Sequence, residues 1–135
     1  MCYFAYSAVN PEVNPEDLAK LIRGSGYYFQ PGTRHDIKMA VAEESEEFRL
    51  TDWCCDCDFP LCEGNAQAPE VLELAAQLEK LRTVRGIKWI YLCKTWTGDR
   101  NKKEVTVHVG DVDLPEFLAE METETLCRID LYPRF

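Results

Sequence analysis

Apolar positions recur along this chain in two periods, and the switches between them divide it into elements. Met1 to Val9 is apolar on both parities and reads as a buried strand rich in aromatics. Beyond the turn at Asn10 and Pro11, Asn14 can cap a helix with Pro15 at its first position and Glu16 and Asp17 at the positive end of its dipole. Leu18, Leu21 and Ile22 form the buried face of that helix, and Gly24 follows its last turn. Gly24 to Gly32 reads as loop. Ile37, Met39 and Val41 then alternate with Lys38, Ala40 and Ala42 as in a strand, and a short strand from Phe48 to Leu50 is expected to pair with it. Asp52 to Gln67 is the longest loop, because its Cys, Asp and Pro residues propagate neither element.

The clearest helical pattern runs from Pro69 to about Thr83, with Val71, Leu74, Leu78 and Leu81 on one face, Glu70 and Glu73 early and Lys80 and Arg82 late. Ile87 to Trp96 is apolar on both parities, as in a central strand covered on two sides. The polar turn Thr97 to Lys103 leads into Val105, Val107 and Val109, which alternate with Thr106 and His108, so the two runs are expected to form a hairpin. Asp113 and Glu116 make a capping box for a short helix with Leu114, Phe117, Leu118 and Met121 on its apolar face. A last strand, Leu126 to Tyr132, turns Cys127, Ile129 and Leu131 inward. The order βαββαββαβ implies an α+β fold, with helices packed on one face of a mixed or mostly antiparallel sheet. At 135 residues the chain is read as one domain, residues 1–135.

Charge changes the picture in two places. Fifteen Lys and Arg against 24 Asp and Glu give a net charge of -9, which on average repels nucleic acid and anionic membrane. Residues 43–63 concentrate eight acids (Glu43, Glu44, Glu46, Glu47, Asp52, Asp56, Asp58, Glu63) against Arg49 alone, whereas residues 80–103 carry eight bases against Asp99 alone. Charged turns of this kind usually keep edges soluble; the sharper alternative is a patch for an anion or a partner. No apolar run approaches the roughly 18 residues needed to cross a bilayer. The first basic residue is Lys20, so the N-terminus does not resemble a secretory signal.

Seven cysteines, an odd number without an export signal, point to a reducing compartment, with cytoplasm as the default. Four of them, Cys54, Cys55, Cys57 and Cys62, lie in the long loop. Cys54 and Cys57 have the two-residue gap of a metal knuckle, and Cys62 follows after four more residues. The fourth ligand is Cys55 or a remote Cys2, His35, Cys93 or His108. Soft ligands favour Zn or an iron-sulfur cluster, and Zn leads because iron-sulfur spacing is not met cleanly. Asp52, Asp56, Asp58 and Glu63 disfavour a bare reactive thiolate but attract a cation, so a structural metal pinning an apolar-poor loop is the leading reading, beside unmetallated structural thiols.

Other candidates are weaker. Cys2 as an N-terminal nucleophile opens an apolar strand; His35 and Asp36, adjacent on the chain, point to opposite faces of any strand. His108 is expected to face solvent or a partner. The run Lys94 to Lys103 mixes cations with Trp96, the ingredients of a nucleic-acid contact, but the overall acidity argues against that use. Cys93 and Cys127 read as small buried hydrophobes. The sequence therefore suggests a small cytoplasmic protein-binding or regulatory module with a metal-binding cysteine loop, not an enzyme. The alternatives are a metal-free acidic interaction protein of the inhibitor or immunity type, docking a basic protein partner, and a thiol- or metal-dependent enzyme. Oligomeric state is not encoded in any motif.

Overall fold

Six consecutive residues, Phe4–Val9, alternate their side chains between two buried faces, and this first strand, β1, runs through the middle of a sheet. The computed structural model describes residues 3–10, 30–31, 46–50, 55–83, 86–96 and 102–132. Among them the elements are β1, β2 (Gln30–Pro31), β3 (Glu46–Arg49), α1 (Pro69–Leu81), β4 (Trp89–Thr95), β5 (Lys103–His108), a 3-10 turn (Val109–Asp111), α2 (Leu114–Glu120) and β6 (Thr125–Asp130). The strands lie in the order β2-β3-β1-β4-β6-β5. Every neighbouring pair is antiparallel except β5 with β6.

The sheet is mixed and carries both described helices on one face, so the fold is α+β. Ala5 and Val9 of β1, Ile90 and Leu92 of β4 and Cys127 and Ile129 of β6 meet the buried faces of α1 (Val71, Leu74, Leu78, Leu81) and α2 (Leu114, Leu118) in the main core. The opposite parity, Phe4, Tyr6, Ala8, Tyr91, Cys93 and Leu126, forms a second buried cluster on the other face. Cys93 and Cys127 are 0% and 2% exposed, as their strand parity implies. α1 starts with a proline in its first turn and ends near the expected boundary; α2 is capped by Asp113, whose Oδ1 accepts from Glu116 N at 3.1 Å.

Three expectations are corrected. The hairpin between the runs 87–96 and 105–109 does not form, because β6 lies between β4 and β5. The physical reason lies in the strand faces. β6 is buried or half-buried along its whole length, whereas β5 exposes Lys103, Glu104 and Thr106 and suits an edge. β5 is instead joined to its parallel partner β6 through α2, the crossover that parallel pairing demands. Second, the segment read as loop before Gly32 contains β2, which pairs with β3, while β3 also pairs with β1. Third, His108 is 5% exposed rather than facing solvent. Its Nδ1 accepts from Gly110 N at 3.0 Å, which leaves the proton on Nε2 to donate to Tyr132 O at 2.8 Å. Each nitrogen has a backbone partner, so the ring serves as a connector between β5 and the chain after β6.

The expected helix from Asn14 to Gly24 and the expected strand Ile37 to Val41 lie outside the described residues.

Candidate functional site

Two regions carry chemistry, and they meet at the C-terminal end of α2. The first is the cysteine loop. Where β3 has ended, Asp56 takes over beside β1: its N–H donates to Tyr3 O at 2.8 Å and its Oδ2 accepts from Ala5 N at 2.7 Å. A turn closed by Phe59 N on Asp56 O at 3.1 Å then drives Phe59 and Leu61, both 0% exposed, into the main core. The loop is thus richer in anchoring apolar contacts than its composition suggested.

Lys94 completes the anchorage. It follows Ile90 and Leu92 on the core-facing parity of β4 and is itself 0% exposed. Its Nζ donates to Phe59 O at 2.8 Å, Leu61 O at 3.1 Å and Glu63 Oε1 at 2.8 Å. An ammonium has three protons, and all three are used, which is what permits a cation to be buried. The Tyr3 ring lies 5.7 Å from the same nitrogen. Sequence reading placed Lys94 in a surface-cation run; the signal that could have found it is a lysine on the apolar parity of a central strand.

Of the described loop cysteines, Cys55, Cys57 and Cys62 take three different surroundings. Cys62 adopts φ 69°, a left-handed conformation costly for a residue with a Cβ. Hydrogen bonds from Cys62 N to Leu118 O at 3.1 Å and from Gly64 N to Ala119 O at 2.8 Å offset that cost and satisfy carbonyls at the end of α2. The Cys62 side chain packs against the main core, and burial pushes its thiol up to about 12 despite the nearby Lys94 charge. Cys55 packs against the second cluster, on the other face of the sheet. Cys57 is exposed, and its Sγ accepts from Tyr3 N at 3.2 Å. Burial likewise pushes Cys93 up to about 12 and Cys127 up to about 11. Among the described residues no three His, Cys, Asp or Glu side chains are grouped to hold a metal ion. Cys54, with Cys2 and His35, lies outside those residues.

The charge runs also resolve differently from their sequence appearance. Asp56 is fully buried and Glu63 is tied to Lys94, while of the cations Lys94 is buried and Lys102, 2% exposed at its side chain, pairs with Glu124 at 3.1 Å. Glu124 also accepts from Thr95 Oγ1 at 2.6 Å and Trp96 N at 2.7 Å, which fastens the start of β6 to the end of β4.

The second region was not singled out from sequence. α2 and the strands β5 and β6 enclose an open cavity of about 270 Å³. Val105, Phe117, Met121 and Cys127 line it, and Glu120, Glu122 and Lys103 stand among its charged residues. Phe117, expected as core, is half-buried here. Glu120 and Glu122 are exposed and form no ion pair among the described residues. The available signal was the stretch 104–127, which has seven acids and no Lys or Arg. Among the described residues no helix is long and apolar enough to cross a membrane. No protein-family model, curated protein or solved structure matches the chain.

Proposed function

We propose that this chain is a small acidic protein-binding module that recognises a basic partner through the cavity between α2 and the β5–β6 edge, without needing a metal in its cysteine loop. The observation that carries the reading is the contrast in satisfaction between the two regions. The loop's buried polar groups are matched internally by Lys94 and by β1, whereas Glu120 and Glu122 stand beside an apolar cavity and have no cationic partner among the described residues. Acids left unmatched at an apolar recess offer both the steering field and the contact that a basic protein surface can use. Small-molecule pockets usually run from roughly 300 to 1,000 Å³, so a recess of about 270 Å³ suits one large side chain better than a cofactor. The raised thiols of Cys62, Cys93 and Cys127 favour a structural rather than a nucleophilic use of those residues.

Selection of binders from a displayed random-peptide library tests this reading, with the charge-reversed variant Glu120→Lys/Glu122→Lys as the counter-target. Enriched sequences should combine Lys or Arg with a large apolar residue and should lose binding to the variant. Enrichment of acidic sequences, or binding indifferent to the substitutions, refutes it.

A further inference from the structure

β5 is the last strand of the sheet, and among the described residues no strand pairs with its outer edge. We infer that the partner segment is an extended, basic peptide that adds to this edge as a further strand and places one apolar side chain in the adjoining cavity, an inference that rests on the protein-binding reading above.

The edge is chemically suited to such an addition. A strand at the margin of a sheet presents backbone N–H and C=O groups along one side, and an extended chain satisfies them without requiring a particular sequence. β5 has no proline within it and no glycine to weaken it. Its side chains are short or polar at the margin: Thr106 is exposed, and Val105 and Val107 are half-buried. The parity of β5 supplies the selectivity. Val105 and Val107 lie on the helix-bearing face, and Val105 also lines the cavity with Phe117 and Met121. Every second residue of an added strand projects toward that face, so one of them meets the recess. Residues of the other parity project toward the face that carries Glu104, itself exposed and bonded to Tyr91 Oη at 2.7 Å.

Charge complementarity fixes the class of occupant. Glu120 and Glu122 border the recess, Asp113 and Glu116 are exposed on the same helix segment, and the stretch from Glu104 to Cys127 holds no Lys or Arg. An acidic segment is repelled by these carboxylates, and an uncharged one gains nothing from them. Lys103 is the exception, at the start of β5 and in the lining of the recess. It disfavours a cation beside the beginning of β5 and so directs the basic residues of the peptide toward the glutamates.

The test uses the full chain and three synthetic probes: an eight-residue capped peptide alternating Lys or Arg with Leu or Val, its Glu-for-Lys/Arg counterpart, and a peptide of the same basic composition arranged with helical period. The alternating basic peptide should bind, shift the backbone amide resonances of residues 104–107, and weaken at least tenfold on Glu120→Lys/Glu122→Lys; the milder Glu120→Gln/Glu122→Gln should fall between. Lys103→Glu should tighten it several-fold. N-methylation of its amides should be tolerated in one register and cost tenfold or more in the other, because only alternate amides of an added strand face β5. If the basic peptides bind and respond to charge reversal, but both N-methyl registers are tolerated or the helical-period peptide binds more tightly, strand addition is wrong while the protein-binding reading stands. If the acidic peptide binds as well as the basic one, or none binds, both fail.

Discussion

Glu63 and Glu120 are exposed glutamates next to the place where the cysteine loop donates to the carbonyls of Leu118 and Ala119 at the end of α2. Glu63 accepts from a buried lysine that also holds two loop carbonyls; Glu120 borders an apolar recess and has no cationic partner among the described residues. The two regions share their residue types, with a cysteine beside acids in each, half-buried Cys62 in one and buried Cys127 in the other. What separates them is whether the fold supplies donors. Among the described residues of the loop, Asp56 and Glu63 serve to hold it to the sheet. At the α2–β5 margin, among the described residues, Glu120 and Glu122 have no cationic partner and no strand pairs with the outer edge of β5.

Removing the loop's central donor should give the largest effect. Lys94→Met leaves two buried carbonyls without their donor, and a loss of about 3 kcal/mol in unfolding free energy is expected from urea titration. A loss under about 1 kcal/mol would remove the basis of the contrast, since solvent would then be serving those carbonyls. Glu63→Gln, which touches only the exposed member of the pair, should cost about 1 kcal/mol or less.

Asp56→Ala should cost about 2 kcal/mol, because the Ala5 N–H loses a charged acceptor inside the fold. Asp56→Asn, which retains an oxygen acceptor, should recover part of that loss in the same titration. Equal stability of the two variants would show that the loop is held elsewhere.

The raised thiols give a pH test with a definite sign. Cys62 and Cys93 remain protonated in the folded protein up to about 12 and Cys127 up to about 11, whereas in the unfolded chain they ionise around 9.0. Their contribution to stability is complete below the unfolded value and is lost as pH rises from there toward the folded values. The urea midpoint should fall between pH 9 and 11 more steeply in the parent than in Cys62→Ala. At neutral pH a bulky thiol reagent should modify exposed Cys57 well before Cys62, Cys93 or Cys127. Rapid labelling of Cys93 would contradict its place in the second core cluster.

The smallest effects belong to the outer region and to metal removal. Glu120→Lys/Glu122→Lys should change unfolding free energy by no more than about 0.5 kcal/mol while abolishing peptide binding. Chelator treatment, followed by elemental analysis, should leave Tm unchanged. A fall of several degrees with loss of Zn or Fe would instead place a metal on Cys54 and its neighbours and sharpen the loop's role into a structural centre.

Several features were determined by the sequence itself. The periodicity of Val71, Leu74, Leu78 and Leu81 specifies α1 because a helix brings those positions onto one face. The double-parity runs at Phe4–Val9 and Trp89–Thr95 specify strands covered on both sides, and Asp113 specifies where α2 begins, since each depends only on residues within a turn or two. Strand order was decided elsewhere: nothing local to the run 97–103 says that β6, more than twenty residues onward, enters between β4 and β5. The same holds for the candidate sites. Lys94 looks like a surface cation until the loop brings two carbonyls and a carboxylate to it, and Glu120 looks like a solvated helix residue until β5 and β6 set a recess beside it. Charge and thiol chemistry are properties of single residues and are legible from sequence, but whether a group is matched depends on partners tens of residues away, so only the tertiary structure decides which groups remain available.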